Sequence, residues 1–147
     1  MNGTTRRAVA AKAGLWLLTV AVLATAPGAA AQSITYGTWK LEVVPDAAAK
    51  AAARDPFTEY VLIEEDGITA HEMCRLGFGT IVPTTGVDSA GLITFTVNLT
   101  SRHNGSCKWT GKMSTTTMTG TLQWTIDGKT YNYTFTGKPF TPVEAES

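Results

Sequence analysis

The sequence has few residues of the types that form the commonest active sites and charged partner surfaces. It contains two cysteines and two histidines, and its twelve basic side chains are balanced by twelve acidic ones. Nucleic acid is therefore not an expected partner, because there is neither a basic surplus nor a recognisable nucleic-acid-binding motif. A nucleophile motif of the G-x-S-x-G kind is also missing.

The one long apolar run stands near the N-terminus and has the pattern of a secretory signal peptide. Three basic residues precede an apolar stretch over 14–26, and small residues at 29–31 supply a cleavage site. The run is short for a membrane span, although an uncleaved anchor is the alternative. We expect residues 1–31 to be removed, leaving no stable span. The mature chain, 32–147, would be periplasmic or secreted and carry a net charge of −3, because nine basic residues face twelve acidic ones.

Both cysteines, Cys74 and Cys107, lie in the mature part of the chain. In an exported protein an even pair predicts a disulfide. On the loop-entropy description, closing this loop would stabilise the fold by roughly 3–4 kcal/mol. The alternative is a thiolate metal or redox site, but the C-x-x-C spacing is absent. We therefore expect a Cys74–Cys107 disulfide.

The clearest structural pattern is a β-hairpin over 113–137. Apolar and polar residues alternate on both sides of Asp127-Gly128, a pair that tolerates positive φ at both central positions of a type I′ turn. Alternation gives each strand one apolar and one polar face. The residues expected to point inward are Met118, Leu122, Trp124, Tyr131, Tyr133 and Phe135.

The same alternation predicts five strands upstream, over 36–44, 58–65, 68–78, 92–100 and 106–113. Asp66-Gly67 is the expected turn of a second hairpin. The alanine-rich run over 47–54 predicts one short surface helix, with Asp46 as its N-cap and Pro56 beyond its end.

Seven or eight short antiparallel strands joined mostly by tight turns indicate an all-β, up-and-down meander. An open sheet of this size has two unpaired edges, and closure into a barrel removes them. A barrel of eight strands encloses space for side chains or for one small ligand. We predict a single 7–8-stranded antiparallel barrel domain over 32–147.

A family resemblance agrees with this architecture. Gly37-Thr38-Trp39 at the start of the first strand resembles the G-x-W motif of lipocalins. Trp-Thr-Gly-Lys at 109–112, Met-Thr-Gly before Trp124, and Phe-Thr-Gly-Lys at 135–138 are similar to small exported lipocalin-like bacterial proteins. The resemblance implies a calycin-type barrel that binds a small apolar molecule in its interior.

Signals for catalysis or metal binding are weak. The best candidates for general acid–base chemistry are His71, Glu72, Arg75 and Asp88. His71 and Glu72 are neighbours on a predicted strand, so their side chains would point to opposite faces and would not share a metal. We expect no metal and no cofactor. An enzyme built on these residues would be a small isomerase, cyclase or lyase, and this is the alternative function.

Aromatic side chains are the strongest indication of a binding site. The residues expected to contact a ligand are Trp39, Phe95, Trp109, Trp124, Tyr131, Tyr133 and Phe135. Aromatic rings offer a ligand flat apolar surface, although they fit a filled core equally well. The leading hypothesis is an exported carrier of a small apolar ligand. Beside the enzyme, the second alternative is an envelope interaction protein with a solid core.

Overall fold

The computed structural model describes residues 34–141, which form one eight-stranded antiparallel sheet with two short helices. The strands are β1 (Gly37–Pro45), β2 (Phe57–Glu64), β3 (Gly67–Ala70), β4 (Thr84–Val87), β5 (Ile93–Ser101), β6 (Gly105–Met113), β7 (Met118–Ile126) and β8 (Lys129–Pro139). The helices are α1 (Ala47–Ala51) and α2 (His71–Arg75). The predicted all-β class is confirmed, whereas the predicted signal peptide lies outside the described residues.

The sheet is an antiparallel meander that curls toward a barrel. Its strand order is β3-β2-β1-β8-β7-β6-β5-β4, so that the first and last strands pair with each other near the middle. The two edge strands are β3 and β4. Across the seam between them, Ile68 and Ile81 exchange two backbone hydrogen bonds of 2.9 and 3.2 Å. The curl therefore encloses one face of the sheet.

Burial separates the two faces of the predicted hairpin. Asp127 and Gly128 have φ values of 50° and 76°, which confirms the turn with two left-handed residues. Four of the six residues expected to point inward are fully buried and two, Trp124 and Tyr131, are half-buried. The outer face instead carries an aligned row across five strands, formed by Thr84, Thr96, Thr110, Thr121 and Thr134.

The turn between β2 and β3 lies one residue earlier than predicted. The loop residues are Glu65 and Asp66, closed by the pairing of Glu64 with Gly67. Gly67 is needed for close packing at the seam, because a Cβ atom there would come within 3.0 Å of the Ile81 carbonyl oxygen. The Asp66-Gly67 pair therefore locates the hairpin to within one residue. Gly67 is needed there for packing against Ile81 and not as a turn residue.

Helix α1 has the predicted N-cap but ends at Ala51, three residues before the end of the predicted range of 47–54. The Asp46 carboxylate accepts a hydrogen bond from the backbone N–H of Ala49 at 2.7 Å. Ala53 adopts a left-handed φ of 58°, which terminates the helix. This reversal directs the guanidinium of Arg54 over an aromatic ring of β8.

The strand predicted over 68–78 is wrong beyond Ala70, where the chain turns into helix α2. Ala70 offers no side-chain cap. Instead the buried carboxylate of Glu59, on β2, accepts the backbone N–H groups of Glu72 at 2.8 Å and Met73 at 3.1 Å. A carboxylate that accepts the free N–H groups of the first turn stabilises a helix. The structure thus has two short helices where one was predicted.

The predicted Cys74–Cys107 disulfide is wrong, since both cysteines are free. Helix α2 places Met73, not Cys74, against β6, so that the Met73 Sδ lies 3.9 Å from the Cys107 Sγ. Cys107 is 2% exposed, whereas Cys74 is half-buried. The prediction used only the even number of cysteines in an exported chain, which does not show whether the two side chains meet.

We expect the two thiols to differ in reactivity. Burial raises the pKa of Cys107 to about 12, and the thiolate is the reactive form. In the folded protein at about pH 8, Ellman's reagent should therefore modify Cys74 much faster than Cys107. Denaturation should make both thiols react alike, and Cys74→Ser should leave a thiol that reacts only on unfolding. Equal rates in the folded protein would contradict the burial of Cys107.

Candidate functional site: an apolar cavity inside the sheet

The curled sheet encloses a cavity of about 150 Å³. Residues of β1, β2, β3, β5, β6, β7 and β8 form its wall, together with residues 34, 36, 65, 82, 83 and 85. The deep part of the wall is apolar, as in Leu41, Val97, Leu99, Trp109 and Phe135. Successive side chains of a strand point to opposite faces, and the apolar residues occupy the positions that point inward.

One end of the cavity is open to solvent. It is bordered by Tyr36 before β1, Glu64 at the end of β2, Glu65 in the turn that follows, and Val82 before β4, which together we call the rim. Tyr36 and Val82 are 57% and 69% exposed, so both side chains reach solvent at this end of the lining. A ligand can therefore enter past the rim.

Packed side chains fill the opposite end of the sheet, which we call the closed end. Phe78 is buried and packs edge-on against Trp124, with ring centroids 6.2 Å apart. The guanidinium of Arg54 lies 4.2 Å from the ring centroid of Tyr131. The Trp124 indole N–H donates to the backbone carbonyl of Asn104 at 2.7 Å. These contacts bound the cavity on the side where both helices lie.

Two glycines on neighbouring strands make room for an aromatic wall. Gly111 on β6 is paired with Gly120 on β7. A Cβ atom at Gly111 would lie 2.7 Å from Cζ of Phe95, and one at Gly120 would lie 2.6 Å from Cζ of Phe135. The rings of Phe95 and Phe135 therefore reach into space that side chains at the glycines would occupy. Trp109 extends this wall, with its ring centroid 5.2 Å from that of Phe135.

The indole N–H of Trp109 is buried and has no hydrogen-bond partner. The indole groups of the other two tryptophans within 34–141 are paired. Trp39 donates to the carbonyl of Thr35 at 3.2 Å, and Trp124 donates to the carbonyl of Asn104. Among the buried side-chain polar atoms of the described residues, the Trp109 Nε1 is thus the one without a partner.

The structure separates the seven aromatic residues predicted to contact a ligand into two groups. Phe95, Trp109 and Phe135 line the cavity. Those outside its lining are Trp39, Trp124, Tyr131 and Tyr133. Tyr133 is 3% exposed and packs edge-on against Phe57 near the closed end. Burial raises the pKa of Tyr133.

The catalytic candidates lie outside the cavity lining. His71, Glu72 and Arg75 belong to α2, where the Glu72 carboxylate lies 3.1 Å from the Arg75 guanidinium and 3.4 Å from His71 Nδ1. Asp88 stands in the turn after β4 and pairs instead with Lys112 at 2.7 Å. That hydrogen bond lowers the pKa of Asp88. Sequence neighbours thus form a surface cluster on α2, while Asp88 stabilises a turn.

Residues 34–141 contain no group of three or more histidine, cysteine or acidic side chains arranged to hold a metal ion. Over the same residues, neither helix has the length and apolar content needed to cross a membrane.

Sequence reasoning missed Glu59, the one fully buried charged residue within 34–141. Burial raises the pKa of its carboxyl group, while hydrogen bonds from the backbone N–H groups of Glu72, Met73 and Tyr60 act in the opposite direction. The available signal was its position, because Glu59 shares the inward face of β2 with Val61 and Ile63. A charged residue at an inward position needs a compensating partner.

Comparison with protein-family models, curated proteins and solved structures gives no match. The resemblance to lipocalins stays a prediction from the motif residues.

Proposed function

We propose that this protein is an exported binding protein for a small, neutral, apolar molecule held inside the curled sheet. The observation that carries the proposal is the cavity of about 150 Å³ with an apolar wall and an open rim. Export rests on the signal-peptide pattern of residues 1–31.

The volume limits the size of the ligand. An apolar cavity of about 150 Å³ holds a molecule of the size of benzene, whereas pockets for drug-sized ligands measure about 300–1,000 Å³. A single aromatic ring or a short hydrocarbon chain therefore fits within the wall. A longer ligand would extend past the rim into solvent.

The charge of the lining selects against anions. Acidic side chains stand at the rim, at Glu64 and Glu65, and no lysine, arginine or histidine is among the lining residues. Burying a carboxylate without a cationic partner is strongly unfavourable. A neutral ligand meets no such cost, so it suits this cavity best.

The cavity favours binding over the two alternative functions. A solid core would leave no ligand volume, and an enzyme would need its acid–base groups at the cavity wall. The four catalytic candidates stand elsewhere in the described structure.

We expect toluene to bind the wild-type protein and to shift the methyl NMR signals of Val97 and Leu99, which line the cavity. Val97→Phe adds a ring to this space and should weaken toluene binding by about tenfold or more. Val44→Phe is the matched control, because Val44 is 42% exposed and outside the cavity lining. Its toluene affinity should equal that of the wild type.

Two results would overturn the proposal. One is the absence of saturable binding of toluene and of other single-ring or short-chain compounds to the folded wild-type protein. The other is equal affinity in Val97→Phe and Val44→Phe, which would place the bound molecule outside the cavity.

Native mass spectrometry of protein purified from its own cell envelope should also show a retained small molecule.

A further inference from the structure

We propose that Met113 and Met118 form an adjustable end of the cavity, which lets the protein bind unbranched alkyl chains of different lengths. This inference rests on the proposed function, since it takes the cavity as the ligand site. It adds the shape of the ligand and its permitted range of sizes, which the cavity volume of about 150 Å³ does not give.

The two methionines stand side by side in the cavity wall. Both line the cavity, and they are register partners at the adjoining ends of β6 and β7. Their exposed neighbours Lys112 and Thr119 point to the outer face, so the methionine side chains point inward. Met113 is 4% exposed and Met118 is 3% exposed. One stretch of the wall is therefore a pair of buried thioether side chains.

These two side chains differ from the rest of the apolar lining in their flexibility. The other apolar lining residues are glycine, alanine, proline, branched aliphatic and aromatic residues, whose side chains have fewer rotatable bonds. Methionine has three rotatable bonds and a polarisable sulfur, so it fills spaces of irregular shape. Binding surfaces rich in methionine repack around partners of different shape. The methionine pair is thus the part of the wall that changes shape most readily.

The backbone beside the pair is fixed, so the adjustment belongs to the side chains. In the turn between the two strands, Ser114 Oγ accepts the backbone N–H groups of Thr116 at 3.2 Å and Thr117 at 3.0 Å. The backbone N–H of Ser114 donates to the Thr117 carbonyl at 2.8 Å. A turn closed by these bonds holds β6 and β7 in register. New methionine rotamers therefore make room without movement of a strand.

The position of the pair favours a straight chain. Gly111 and Gly120 are the inward positions next to Met113 and Met118, and rings of the aromatic wall cover both glycines. A ligand ring against that wall therefore has the methionines beside it. An unbranched chain on the ring is as narrow as a methionine side chain, so it fits the space that a rotamer change vacates. A branched substituent is wider and would need the aromatic wall to move as well.

Toluene, n-butylbenzene and tert-butylbenzene test this inference in the wild-type protein. In a rigid cavity, a longer chain would extend past the rim and gain little affinity from its added methylenes. With an adjustable end, each added methylene is buried, which is worth about fourfold in affinity, or ~0.8 kcal/mol, before the cost of new rotamers. We therefore expect n-butylbenzene to bind at least about tenfold more tightly than toluene, and more tightly than its branched isomer.

NMR of ¹³C-labelled methionine methyl groups gives a direct measurement, because their ¹³C shift depends on the rotamer of the terminal bond. We expect n-butylbenzene to move the ¹³C signals of Met113 and Met118, and toluene to leave them near their positions in the free protein. The Met73 signal should stay in place with both compounds, since Met73 packs against Cys107 outside the cavity lining.

A double substitution gives the third measurement. Met113→Leu together with Met118→Leu removes flexibility at nearly constant side-chain volume. The toluene affinity of this variant should stay within about twofold of the wild type, whereas its preference for n-butylbenzene over toluene should fall by about tenfold. Met73→Leu is the matched control, because Met73 is buried but outside the cavity lining, and it should leave the preference unchanged.

The outcomes separate this inference from the proposed function. Equal affinity of the wild type for n-butylbenzene and toluene, or a preference without movement of the Met113 and Met118 signals, would overturn the adjustable end and leave the apolar site in place. Equal affinity for the two butyl isomers would overturn the selection of unbranched chains. Binding of none of the three compounds would overturn the proposed function and this inference with it. The wild-type measurements decide the matter even if the double variant fails to fold.

Discussion

Replacing Glu59 by leucine is expected to lower the free energy of unfolding by about 3 kcal/mol. The carboxylate accepts hydrogen bonds from the backbone N–H groups of Tyr60, Glu72 and Met73 at 2.8–3.1 Å. Leucine fills similar space but leaves these buried donors without an acceptor, which is the costly case for a hydrogen bond. Urea unfolding followed by tryptophan fluorescence measures the loss.

Glu59→Gln is the matched control, because glutamine keeps the shape and one acceptor oxygen. We expect it to be more stable than Glu59→Leu and less stable than the wild type. Equal stability of the leucine variant and the wild type would contradict the role of Glu59 in holding helix α2. Faster modification of Cys107 in Glu59→Leu would show independently that α2 and its Met73 have left the core.

The same pair of proteins gives a pH test. Burial raises the pKa of Glu59 above its ordinary value of 4.5, so the folded state holds this proton more tightly than the unfolded state. The stabilising contribution of Glu59 is then fully present below the unfolded pKa and declines as pH rises through the folded pKa. The free energy of unfolding of the wild type should therefore exceed that of Glu59→Gln by more at about pH 4 than at about pH 7. A larger advantage near neutral pH would contradict the raised pKa.

Gly120→Ala is expected to cost about 3 kcal/mol of stability and to weaken toluene binding. The new methyl group would overlap the Thr110 carbonyl oxygen and lie 2.6 Å from Cζ of Phe135. Relief of these contacts needs movement of β6 or of the Phe135 ring, and that ring is part of the cavity wall. Thermal unfolding and toluene titration measure the two effects.

Gly79→Ala provides the control for this substitution. A Cβ atom at Gly79 meets no atom within 4 Å, and Gly79 does not have a positive φ. Its stability should stay within about 0.5 kcal/mol of the wild type. If Gly120→Ala were as stable as Gly79→Ala, the close approach of β6, β7 and Phe135 would be wrong.

The β7–β8 hairpin was predictable because its signals are local. Alternation over a few residues sets the faces, and Asp127-Gly128 sets the turn. Helix α2 was not predictable in the same way. Its capping group, Glu59, comes from another strand, and the hydrogen bond to Glu72 spans thirteen residues of sequence. The sequence pattern over 68–78 does not reveal this acceptor, because the Glu59 carboxylate belongs to β2.

The candidate site was predictable in its chemistry but not in its position. Alternation shows that Phe95, Phe135 and Tyr133 share the inward face, but it does not show how far each lies from the rim. That depth depends on strand register and on which end the helices cover. The disulfide prediction rested on the even cysteine count of an exported chain. That count does not show which side chains meet, and helix α2 places Met73 against Cys107.

The pairing of β1 with β8 has a consequence for how the chain folds. Trp39 is paired with Pro139, so this contact closes a loop of about 100 residues, and such distant contacts form slowly. As the chain folds, β1 and β2 can pair with each other, but β1 has no second partner until β8, the last strand of the described residues, is in place. Until then β1 presents an unpaired edge, which is a site for pairing with other chains.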